Sequence, residues 1–195
     1  MTDSTGPATI ESLADPTDLR DDPDVLTTSR EREFPREQYE ALAERYDELD
    51  GVVQVGLLRS DGAALLQRHD ESEQWHPPGG NVAQEQDWVV AARETIEALT
   101  GQQVAIDEAV LYGRQTFLPA TDPEAAEPVL AETVVFGASL VEATDGFEEE
   151  PTLASELDHP LYGDGEEIGL ELAWFESVPE AVDPNHREEI ELLVG

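Results

Sequence analysis

Between Trp75 and Gly101 the chain reads WHPPGGNVAQEQDWVVAARETIEALTG, with Glu94 and Glu97 three residues apart. Residues at that spacing are neighbours on a helix, so the two carboxylates project together. Like charges held this close repel unless a cation lies between them. Hard oxygen ligands of this kind suit Mg²⁺ or Mn²⁺, with diphosphate oxygens commonly completing the octahedron. Read alone, the pair indicates a metal-phosphate site. Yet 46 of the 195 residues are Asp or Glu, and a solvated acidic face would produce the same pair, so its meaning depends on what surrounds it.

Two elements must position the pair. Trp88, Val89, Ala92, Thr95, Ile96 and Leu99 recur at the i, i+3, i+4 and i+7 intervals of one buried helix face, with Asp87 able to cap the start. At about 100° per residue, Glu94 and Glu97 fall on roughly the opposite side of that helix. Ahead of it, Pro77-Pro78-Gly79-Gly80 combines residues of fixed φ with residues that permit close backbone approach, which predicts a sharp turn feeding the helix.

The whole arrangement, Gly79-x5-Glu85-x7-Arg93-Glu94-x-x-Glu97, resembles the signature box of the Nudix hydrolases, G-x5-E-x7-R-E-U-x-E-E-x-G-U with U a bulky apolar residue. Trp75-x-x-Pro78-Gly79-Gly80 is similar to the usual entry to that box. The box is degenerate. Thr95 stands at an apolar position, Ala98 replaces the last glutamate, and Gly101 arrives one place late. A gap that brings Gly101 into register would put Ala98 and Leu99 on glutamate positions; the ungapped helix keeps Leu99 on the buried face.

The resemblance implies an α/β/α sandwich with a mixed β-sheet over about residues 50–195. It implies a Mg²⁺- or Mn²⁺-dependent hydrolase that cleaves a diphosphate linkage in a nucleoside diphosphate derivative or similar small molecule. Glu94 and Glu97 would be the metal ligands, Glu85 and Arg93 an ion pair bracing loop against helix, and Gly79 and Gly80 the backbone that meets phosphate. Ala98 stands where the family has a principal metal ligand, which keeps open an alternative, a non-catalytic module binding a nucleotide derivative or a protein partner. Glu85, or an acid of the 143–165 segment such as Glu148, Glu149, Glu150 or Glu156, is the candidate base.

Composition narrows the setting. The net charge is −36, the ten basic residues are all arginine, and there is no lysine or cysteine. Charge this extreme opposes compaction in dilute buffer, whereas at ~1 M salt the screening length is about 3 Å. The surface therefore suggests a salt-in halophile. Disulfides and thiolate zinc sites are excluded. Ten scattered arginines make no basic patch for a nucleic acid polymer. The four histidines lack metal-ligand spacing and read as turn or surface residues. No apolar run approaches membrane-spanning length, no signal-like core begins the chain, and a cytoplasmic protein is expected.

Along the chain, residues 1–24 read as a flexible acidic extension. Residues 25–50 read as a prefix of edge strand and amphipathic helix (Tyr39, Leu42, Ala43, Tyr46, Leu49) that packs on the domain or mediates a homodimer. In the main domain, 51–195, Val52–Leu58 and Ala63–Gln67 form a hairpin about Ser60-Asp61-Gly62. Val104–Phe117 holds two short extended segments, Glu132–Val141 is a buried strand, and Ala143–Gly165 is a site-covering loop. Glu167–Phe175 is a last strand, and Pro184–Leu193 a closing helix.

Overall fold

The computed structural model describes residues 9–69, 72–122, 126–142, 144, 146–154 and 169–195. Strand β1 (Leu26–Phe34) leads into helix α1 (Arg36–Tyr46), β2 (Leu49–Leu58), β3 (Ala64–His69) and β4 (Gly79–Ala83). Helix α2 (Trp88–Thr100), β5 (Val104–Pro119), β6 (Val129–Leu140), β7 (Leu170–Phe175) and α3 (Arg187–Val194) follow. The sheet runs β1-β5-β6-β2-β3-β7, with β4 paired to the first half of β2. The β1–β5 and β2–β6 pairs are parallel and the others antiparallel, so the sheet is mixed.

Strand alternation explains the layering. Val53, Val55 and Leu57 of β2 point into the main core, where Trp88, Val89, Ala92, Ile96 and Leu99 of α2 meet them. Gly56 faces the other way, and the space a side chain would fill is occupied by Leu193 of α3. Helices thus cover both faces, and the expected α/β architecture with a mixed sheet is the one observed.

Several boundaries differ from expectation. Leu49 belongs to β2, not to α1, because pairing with β4 reaches back to it. Val104–Pro119 is one strand bent by two register shifts, since β6 pairs with it along nearly its whole length. Where the sequence predicts a flexible extension over 1–24, residues 9–24 lie against the body. Pro16–Asp21 is a 3₁₀ helix capped by Asp15, with Pro16 and Leu19 buried, and Ile10 N donates to Ile106 O. Isolated apolar residues such as Leu19 give little periodic signal, yet each fills a place in a core built by distant strands. Most of the 143–165 loop, including Glu156, lies outside the described residues. No helix among the described residues is long and apolar enough to cross a membrane.

Candidate active site

The carboxylate helix forms as its sequence dictates. Asp87 caps it, Oδ1 accepting from Val89 N and Val90 N, and Gly101 ends it in the left-handed conformation at φ 72°. The helix runs without interruption to Thr100 and keeps Leu99 buried, as expected of the ungapped helix. Thr95 is tolerated in the buried face because its hydroxyl donates to Ala91 O at 2.8 Å. Glu94 and Glu97 are exposed on the outer side, and Ala98 beside them is half-buried.

Ahead of the helix, the glycine segment is not the open turn that its composition suggests. Gly79 and Gly80 begin β4, in register with Gln54 and Val53 of β2, so their backbones belong to the sheet. Neither has positive φ. Close approach is what demands glycine at position 80, against Thr95 of α2. The sharp turn lies further on, at Gln84–Gln86, where Glu85 adopts φ 61° and its N–H donates to Asp50 Oδ2 at 3.0 Å. The Gln86 side chain straps this turn, its oxygen accepting from Ala83 N at 3.0 Å and its amide donating to Glu94 Oε2 at 2.9 Å. Gln86 thereby orients a predicted ligand, a role with no counterpart in the sequence reading.

The predicted Glu85–Arg93 brace is replaced by another. Arg93 Nη2 reaches Ile10 O at 3.3 Å and Glu11 Oε2 at 3.4 Å, because the N-terminal segment lies along α2 and supplies the nearest acceptors. Glu85 instead lines a cleft of about 580 Å³ with Asp15, Asp50, Trp88 and Glu132. Asp87, at the junction of cleft and helix, also accepts from Ser12 Oγ (2.5 Å) and Leu13 N (2.9 Å). Partial burial works to raise its pKa, but the bonds from Ser12, Val90, Leu13 and Val89 outweigh burial and hold it below the ordinary carboxylate value.

Three of the four histidines, expected as separate turn or surface residues, converge on the sheet. The rings of His69 and His76 lie 6.0 Å apart, and those of His76 and His186 5.8 Å apart. His186 Nδ1 is 2.5 Å from the buried Glu189 carboxylate and 2.9 Å from Gln54 Nε2. The His76–His186 and Gln54–His186 contacts join positions more than a hundred residues apart, which leaves no local spacing to read.

Among the described residues, no group of three or more His, Asp or Glu side chains is placed to hold a metal ion. An all-protein metal cage is therefore not formed there. The donor chemistry of Glu94 and Glu97, two water-exposed carboxylates, fits the mode in which Mg²⁺ keeps several waters and is bound by one or two carboxylates together with substrate phosphates.

No family model and no curated protein matches the chain. Among solved structures, the chain is similar to a UDP-X diphosphatase, at 18% sequence identity and a TM-score of 0.47, with 79% of this chain and 68% of that one covered. It is also similar to a mutant of the Bacillus subtilis pyrophosphohydrolase BsRppH, at 17% identity and a TM-score of 0.40, with 72% and 71% covered. At this degree of likeness, the functional reading rests on the residues of the β4–α2 unit themselves.

Proposed function

We propose that the chain hydrolyses a diphosphate linkage in a nucleoside diphosphate derivative or similar small molecule, using Mg²⁺ or Mn²⁺. The observation that carries this reading is α2, whose capped and buried frame presents Glu94 and Glu97 to solvent side by side, with Gln86 fixing Glu94. Glu94 and Glu97 would hold the ion jointly with phosphate oxygens. The chemistry such an ion supplies is neutralisation of phosphoryl charge and activation of water. Glu85, held by the Asp50 contact at the lip of the cleft, is the candidate general base.

Nucleoside diphosphate derivatives incubated with folded protein, Mg²⁺ and molar KCl should yield a phosphate or nucleotide product, and Glu94→Gln should abolish it. Absence of product across the panel overturns the assignment. A second reading, a nucleotide-binding module without turnover, is favoured by Ala98, which leaves the carboxylate pair without a third partner among the described residues. Tight ligand binding without product would establish that reading, and metal-dependent turnover lost in Glu94→Gln would exclude it.

A further inference from the structure

We infer that the N-terminal segment Ile10–Leu13 is a working part of the site, a latch that fixes where α2 holds Glu94 and Glu97. This inference rests on the function proposed above. Its basis is the division of labour at Asp87, where one carboxylate oxygen caps the helix through Val89 N and Val90 N. The other oxygen takes the Ser12 hydroxyl and Leu13 N. The contact is reciprocal, since Trp88 N donates to Leu13 O at 2.9 Å. Further along, Arg93, the residue next to Glu94, closes on Ile10 O and Glu11. Ile10 N is in turn tied to Ile106 O of β5 at 2.7 Å.

The latch therefore grips α2 at its first residue and again beside its first carboxylate. The buried face fixes the helix against the sheet, and the directional hydrogen bonds of the latch add restraint at its first turn and beside Glu94. A pair of ligands gains from being held in place before the ion and substrate arrive. The same segment continues as Asp15, Pro16 and Thr17 into the wall of the cleft that Glu85 lines. Ser12, Leu13 and Arg93 are thus positioning residues, acting through the helix and not on the substrate.

Asp87→Asn in the full chain separates latch from cap. An asparagine oxygen still caps Val89 and Val90, while its amide group presents donors to Leu13 N–H. Circular dichroism should show an intact fold, and hydrogen exchange at the Leu13 and Trp88 amides should quicken on the order of ten-fold. The Mn²⁺ concentration for half-maximal turnover should rise several-fold. Ser12→Ala should move both readouts in the same direction but less, and Ser12→Thr, which keeps the hydroxyl, should restore them. Unchanged exchange in Asp87→Asn overturns the latch, and faster exchange with unchanged metal dependence overturns its positioning role. If wild-type protein turns over nothing, the proposed function fails separately. The latch is then read from direct Mn²⁺ binding: an affinity that depends on Glu94 and falls in Asp87→Asn supports it, and any other result overturns it.

Discussion

A Cβ added to Gly80 would lie 2.1 Å from Thr95 Oγ1, so strand β4 and helix α2 come into close contact where glycine faces threonine. The contact sets the spacing between the segment that leads into the site and the helix that bears its carboxylates. Gly80→Ala should force them apart and cost about 1 to 3 kcal/mol, as overpacking typically does. Adding Thr95→Ala removes the clashing hydroxyl and should recover part of the loss. Denaturant unfolding of the four species in molar KCl gives the coupling, and additive losses would show that the two residues do not meet.

If the proposed function holds, a carboxylate introduced at position 98 should strengthen metal use. Position 98 lies one turn beyond Glu94 and is half-buried, so glutamate can reach solvent beside the pair. Ala98→Glu should lower the metal concentration for half-maximal turnover and raise the rate, by about 1.5 to 3 kcal/mol if one charge-assisted contact is gained. Metal titrations at fixed ionic strength check this. An unchanged dependence in a folded variant would mean that another residue already fills the place or that Glu94 and Glu97 do not bind metal, and Glu94→Gln separates the two.

Stability should depend on pH through His76. Burial lowers its pKa, as do the facing His186 and His69, against the opposite pull of the bond to Pro77 O and of the Asp183 carboxylate. A histidine whose folded pKa lies below its unfolded value contributes stability that is complete above the unfolded pKa of about 6.5 and is lost as pH falls through the folded one. In that interval the unfolded chain binds more protons, so the sign is fixed. The thermal midpoint should drop between pH 7.5 and 5.5, and drop less in His76→Gln. Equal losses in both proteins would show that His76 is not the group responsible.

Salt should stabilise the fold. With a net charge of −36 and ten arginines, several of them already in exposed ion pairs such as Arg30–Glu188 and Arg36–Glu40, self-repulsion is poorly compensated at low ionic strength. We expect marginal stability below about 0.5 M KCl, rising with screening. Thermal midpoints that stay flat from about 0.1 to 3 M KCl would contradict this.

The sequence by itself determined α2: its start at Asp87, its buried stripe and its outward Glu94 and Glu97 all follow from local periodicity and capping, which act within a few residues. The hairpin about Gly62 was legible for the same reason. Only the tertiary structure decided what a local pattern cannot encode. Composition alone made Gly79-Gly80 a turn, but pairing with β2 made it a strand. Arg93 has acidic residues on every side in sequence, and its partner was chosen by the path of a segment more than eighty positions away. Ser12 and Leu13 carry no periodic signal, yet they meet Asp87 across 75 and 74 positions, because hydrogen-bond partners at such separations are set by how strands order in the sheet and not by spacing along the chain.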